Sequence, residues 1–473
     1  MAPLDQIDTI VIVMMENRSF DHVLGYLQLP RFGGRTDIDG LLNADSDPKF
    51  ANEYDHQIYR PFPISDGPLL HDLPHGRAEV RTELAFTGNI ATMSGFVQAY
   101  VDATHSVVNQ PPPMGYCAAD SVPMTNFLAR NYLVCDHWFA PLPADTQPNR
   151  AMAYTGSSLI DDTKGRLIPY RNLVFDWLTQ HNVHWRVYHS GLSFFLLFGL
   201  VDEPLGDNFR SILRFAGDLH DATDNVPEVI FVEPEYNDSP VHFGFQPNDN
   251  HPPLPIGPGE EFLRQIYTAV TKSPRWPRTM LIVTYDEHGG FFDHVPPLPV
   301  KMPVPSGATY QEAFATTGVR VPAIIISPFV QSGTSYNGPL DHTSILQLLA
   351  EKFTADPKKY SDDVTRRRDQ GIGSLSAVLQ QSARQDVPVA PSTSITVPQV
   401  LLTTQPFLNE NQKAFKVAGE QLLAHDRVQA LVKFPQLVHL QLASDSGNEP
   451  KNVISGAATA KQKKPQRKKR KPS

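Results

Sequence analysis

Cysteine is nearly missing from these 473 residues: only Cys117 and Cys135 occur. Two thiols are too few for a disulfide framework or a thiolate metal cluster, and whether they are free or bridged stays open. Long hydrophobic runs are missing too. The longest, "FFLLFGLV" at 194–201, falls well short of the roughly 20 apolar residues of a membrane span. It reads either as a buried helix or as a lipid-facing lip beside a site. The amino terminus, "MAPLDQIDTIVIV", has no basic stretch ahead of its apolar run. No signal peptide is therefore expected in the chain as numbered, and the expected location is cytoplasmic or membrane-peripheral; removal of a leader would make it secreted or periplasmic. No basic face is interleaved with aromatics, so specific nucleic-acid binding is not expected.

What is abundant is proline, 43 residues gathered in runs such as "NQPPPMG" and "HVPPLPVKMPVPSG". Such runs favour long, stiff loops over a layered core and exclude an all-helical bundle. The net charge of −9 hides an asymmetry: from Pro450 onward nine Lys or Arg occur without an acid, leaving −18 on the rest. Near-continuous apolar runs recur at "DTIVIVMM", 183–189, 227–234, 279–287 and 319–329, with helical patterns at 259–273 and 342–353. Strands buried on both faces, alternating with helices, predict an α/β fold with a mostly parallel sheet, in which ligands bind beyond the carboxyl ends of strands. The expected organisation is a catalytic domain over 1–355, a polar connection over 356–405, a helical extension over 406–445 and a disordered basic tail over 446–473.

Two of these strands run straight into carboxylates. "IVIVMMENRSFDH" ends in Glu16 and Asn17, and "LIVTYDEHGGFFDHV" ends in Asp286 and Glu287. Side by side, they would form a hard, oxygen-rich site for a divalent cation, whereas singly each acid reads as a helix cap or the start of a solvated loop. In "PADTQPNRAMAYTG", Thr146 stands where a hydroxyl caps a helix. There it could also attack phosphorus, with backbone N–H groups, Asn149 and Arg150 stabilising the oxygens. His75, His251, His288, His294 and His342 lie in loops beside Pro, Asp or Glu. Singly each is a structural hydrogen bonder; as a set they are candidates for metal ligands, phosphate donors or the leaving-group acid.

The segments "ENRSFDHVLGYL", "TQPNR", "DEHGGFFDHV" and "GVRVPAIIISPF", in that order, resemble the motifs of the bacterial and plant phosphoesterase family that contains the non-specific (phosphatidylcholine-type) phospholipases C and a related acid phosphatase. The likeness continues through "HGRAEVRTELAFTGNIATMSGFVQAY" and "HPPLPIGPGEEFLRQIYTAV", covering roughly residues 5–353. It implies an alkaline-phosphatase-like α/β/α sandwich. By motif position Glu16, Asn17, Asp286 and Glu287 would ligate one divalent metal, Ca, Mg, Mn or Zn, and Thr146 would be the nucleophile. His75, His251 and His294 carry over as phosphate contacts or as the leaving-group acid, and Asn149, Arg150 and His288 as substrate contacts.

The expected reaction is in two steps: Thr146 displaces an alcohol from phosphorus, and water then hydrolyses the phosphothreonine. The leading substrate is a phospholipid, cleaved to diacylglycerol and a phosphorylated head group; the alternative is a phosphomonoester, as in an acid phosphatase. A third reading is an inactive protein bound to anionic membrane through its basic tail. Oligomeric state is not legible.

Overall fold

The structure is a computed structural model, and it describes residues 2–65, 69, 71–221, 226–242, 246–391 and 408–440. Eight strands form the central sheet: β1 (Thr9–Met15), β2 (Leu133–Cys135), β3 (Trp185–His189), β4 (Phe209–Ser211), β5 (Val229–Glu233), β6 (Thr279–Tyr285), β7 (Ala323–Ile326) and β8 (Thr334–Tyr336). Their spatial order is β4-β3-β5-β1-β6-β7-β2-β8. Only β7 runs against its neighbours, pairing antiparallel with β6 and β2, so the sheet is mostly parallel as expected. No crossover helix joins β6 to β7; residues 286–322 make a long loop instead, and the chain re-enters the sheet from the edge it left.

All seven residues of β1 and all seven of β6 are buried, which is why these segments read as unbroken apolar runs. The main helices that cover the sheet are α1 (Arg77–Leu84), α2 (Pro123–Asn131), α3 (Thr146–Thr155), α4 (Gly257–Lys272), α5 (Thr343–Thr354), α6 (Asp362–Asp369), α7 (Glu410–His425) and α8 (Arg427–Lys433), giving an α/β/α sandwich. Both cysteines are buried and are not joined in a disulfide. Among the described residues no helix is long and apolar enough to cross a membrane.

One open reading resolves and one expectation needs revision. "FFLLFGLV" forms a short 3-10 helix, Phe194–Phe198, with every side chain buried, so it is core and not a lipid-facing lip. The connection expected over 356–405 is folded as far as residue 391. It carries α6, whose Arg367 is fully buried against Asp341 Oδ2 (Nε 2.7 Å) and the Pro141 carbonyl (3.0 Å). Val364, Ile372, Leu375 and Val378 are buried beside that ion pair, but they are scattered among polar residues and leave no periodic signal, so the composition reads as linker. The basic tail lies outside the described residues.

Candidate active site

The strand register sets the site. Met15 pairs with Tyr285 at the carboxyl ends of adjacent parallel β1 and β6, so Glu16 and Asp286 emerge side by side. The Asp286 N–H continues the ladder to the Met15 carbonyl at 3.1 Å. Asn17 then turns into the left-handed region at φ 59°, which an Asn tolerates better than most side chains. Its N–H donates to Asp286 Oδ1 at 3.1 Å. Gly289 (φ 62°) lets the β6 loop close on this turn: a Cβ there would stand 2.2 Å from the Asn17 carbonyl oxygen.

Arg150 lies beneath the two strand ends. Its Nη2 is 3.0 Å from Glu16 Oε1 and its Nε 3.1 Å from Asp286 Oδ2, with no exposed surface. The guanidinium sits against the rings of Phe194 and Tyr236, 4.7 and 5.1 Å from their centroids. One helical turn above it on α3 is Thr146. The N-cap of α3 is Asp145, not Thr146: Thr146 is the first helical residue, and its buried hydroxyl has no hydrogen-bond partner. A plain capping role for Thr146 is thereby excluded. Asp145 uses both carboxylate oxygens on the Thr163 N–H, each at 2.9 Å.

His75 and His251 come together across Asn17, whose Nδ2 is 3.2 Å from His75 Nε2 and 3.1 Å from His251 Nε2. Each imidazole gives its Nδ1 to a backbone carbonyl, Leu73 at 2.6 Å and Pro252 respectively, so both Nε2 atoms face the same point. Burial disfavours charge on His75, but Glu287 and Asp72 outweigh it and hold the imidazole up at about 9. Burial drives Glu16 well above the usual carboxyl range, with Arg150 opposing, and lifts Asp286 to about 6. Burial would also raise Glu287, yet His75 and His288 more than offset it and hold that carboxyl low.

The remaining expected residues have other parts. Asn149 accepts from the Leu142 N–H (2.9 Å) and donates to the Ala144 and Asp145 carbonyls (2.7 and 3.0 Å), so it shapes the turn before Thr146 and has no group left for substrate. Arg150 is spent on Glu16 and Asp286, and so supports the site from below. His288 bridges Glu83 (Nε2 2.7 Å) and Glu287 (Nδ1 3.2 Å), is held up at about 10, and orients Glu287 from behind. His294 is committed elsewhere, Nδ1 at 2.6 Å from Asp21 and Nε2 at 3.0 Å from Asp39, next to an Arg320 that pairs with Asp293 and Asp21. The residues that sequence reasoning missed are the supports: Glu83, Asp145, Tyr236, and Asp238, whose Oδ2 stands 3.7 Å from His251 Nε2. None carries a local signal, because each acts on a partner distant in sequence.

The donor set fits a cation. Glu16 Oε2, Asn17 Oδ1, Thr146 Oγ1 and Glu287 Oε1 are buried oxygens that make no hydrogen bond, and His75 Nε2 stands 3.8 Å from the last of them. Each such orphan costs about 1–3 kcal/mol unless something binds it, and four oxygens from three separate motifs match a hard divalent ion. Asp286 adds a further carboxylate, although its oxygens already accept from Asn17, Glu287 and Arg150. Asp72, His75 and His251 also have metal-ligand spacing at the rim, as do Asp21, Asp293 and His294. In the latter group Arg320 already supplies the positive charge.

Residues 7–355 match the profile of the phosphoesterase family. Non-specific phospholipase C1 of Arabidopsis thaliana is 30% identical over 422 residues, spanning 85% of this chain and 75% of that protein. The non-hemolytic phospholipase C of Burkholderia pseudomallei is 27% identical over 440 residues, 82% of this chain and 61% of that protein. Among solved structures, a protein of the alkaline phosphatase superfamily from Vibrio parahaemolyticus aligns over 66% of this chain and 82% of its own at 12% identity, with a TM-score of 0.30.

Proposed function

The chain belongs to the phosphoesterase family and is a phosphoric ester hydrolase, and from that footing we propose that it is a metal-dependent phosphodiesterase of phospholipase C type. Its substrate would be a phospholipid, its products diacylglycerol and a phosphorylated head group. The observation that carries the reading is the buried Thr146 hydroxyl, which makes no hydrogen bond, alongside three acceptor oxygens on Glu16, Asn17 and Glu287 that make none either.

Thr146 Oγ1 attacks phosphorus and passes its proton to one of the carboxylate oxygens that make no hydrogen bond, Glu16 Oε2 or Glu287 Oε1, while the diacylglycerol oxygen leaves with a proton from the His75–His251 pair. Their Nε2 atoms are turned inward by the backbone carbonyls that fix Nδ1. Water then cleaves the phosphothreonine ester and frees both the head group and the Thr146 hydroxyl. Glu16, Asn17, Asp286 and Glu287 would hold a divalent cation, which when bound would supply Lewis acidity and charge neutralisation. Arg150 fixes two of those carboxylates from below, and His288 fixes a third.

The diester is favoured over the monoester by where Arg150 points. A monoester brings a second negative charge, and the one arginine of the "TQPNR" motif is buried under the carboxylates instead of facing the substrate. Product analysis on phosphatidylcholine micelles with Mg, Mn, Ca or Zn supplied tests this. Diacylglycerol and phosphocholine are expected; cleavage of a simple phosphomonoester with neither product would establish the phosphatase instead.

A further inference from the structure

The helical extension reaches the site through its first turn. Asn409 caps α7, its Oδ1 accepting from the Gln412 N–H at 2.8 Å, and its Nδ2 donates to Asp238 Oδ1 at 2.7 Å. Asn411 faces inward with 6% of its surface exposed. Its Nδ2 donates to Asp238 Oδ2 at 2.9 Å, and its Oδ1 accepts from Gln147 Nε2 at 3.0 Å. Gln147 follows Thr146 and is further fixed by both backbone groups of Lys164, each at 3.1 Å. Asp238 Oδ2 stands 3.7 Å from His251 Nε2. One carboxamide therefore joins the neighbour of the nucleophile to the carboxylate beside a site histidine. Lower on the same helix, Phe415 packs 6.0 Å from both Phe194 and Tyr236, the two rings that sit on Arg150.

We propose that α7 is a working part of the site, with Asn411 a positioning residue that holds Gln147, and so the first turn of α3, in register with Asp238 and His251. The proposal rests on Thr146 being the nucleophile. Asp238 is buried, and each of its oxygens receives one amide donor from α7. Losing the Asn411 donor leaves a buried carboxylate short of a partner, free to draw His251 out of place. Losing the Asn411 acceptor leaves Gln147 held by Lys164 alone on its side chain, and loosens the orientation of the residue before it.

The test uses the full chain, loaded with divalent cation, hydrolysing p-nitrophenyl phosphorylcholine. Asn411→Asp keeps size and the acceptor for Gln147 but sets a like charge against Asp238. It is expected to lower kcat by about tenfold or more with KM within about twofold, and to be worse than Asn411→Ala. The exchange Asp238→Asn with Asn411→Asp restores a donor–acceptor pair and is expected to recover kcat to within about threefold of wild type. Leu422→Ala, on the same helix and away from the bridge, is expected to lower Tm while leaving kcat in place. A role in packing alone predicts the reverse order, Asp milder than Ala, with kcat following Tm across all variants including Leu422→Ala; that pattern overturns the proposal. So does unchanged kcat in both Asn411 variants when Thr146→Ala is dead. An active Thr146→Ala removes the nucleophile assignment itself, whatever the Asn411 variants do.

Discussion

Arg150 and Thr146 sit one turn apart on α3 and divide the labour of the site. Arg150 neutralises two buried carboxylates at 3.0 and 3.1 Å. Truncating one partner of a buried pair leaves uncompensated charge, so Arg150→Ala should lower unfolding free energy by about 3–5 kcal/mol in the metal-free protein, read by urea titration. Excess divalent ion should return part of that loss if Glu16 and Asp286 are ligands. Thr146 is the opposite case: its hydroxyl has no partner to lose. Thr146→Ala should leave metal-free stability within about 1 kcal/mol while reducing turnover by roughly a thousandfold or more. Sequence placed both residues but misread Arg150, because adjacency in "TQPNR" does not say whether a side chain points to the opening or to the floor. His288 misled for the same reason, its partner Glu83 being 205 residues away.

At the scale of elements, the end of β6 brings "DEHGG" to the sheet edge, and a buried charge network pins the loop that follows. His294 lies in that loop and bridges Asp21 and Asp39. Burial opposes its charge, but Asp21 and Asp39 raise it to about 9 from an ordinary 6.5. A raised histidine stabilises the fold fully below pH 6.5, and that contribution is lost as pH climbs through 9. His294→Gln should therefore be destabilised relative to wild type by up to roughly 3 kcal/mol at pH 6, with the difference shrinking by pH 10. A pH-independent difference in urea midpoints would contradict the charged bridge. The strands that carry chemistry were legible because burial on both faces leaves an unbroken apolar run ending in acids. β2, β4 and β8, three residues each, are too short to leave any period. The Asn411 bridge was illegible because its anchors are polar contacts to distant positions, Gln147 and Asn411 being 264 residues apart.

For the molecule as a whole, an acidic body ends in a strongly basic segment. Nine basic residues near an anionic surface contribute about 1 kcal/mol each. Deleting 446–473 should therefore weaken binding to phosphatidylserine vesicles while leaving turnover of a soluble diester unchanged; equal vesicle binding would remove the tail from membrane delivery. In the proposed reading, the order of strands, the facing ends of β1 and β6, and the helix that presents Thr146 serve one chemical event, transfer of a phosphoryl group to that hydroxyl. Acid quenching during steady turnover of phosphatidylcholine, followed by peptide mass spectrometry, observes that event most directly. A phosphocholine adduct on Thr146, present in the wild type and absent in Thr146→Ala, is the expected result. Full turnover with no adduct on Thr146, or with the adduct on another residue, would contradict it.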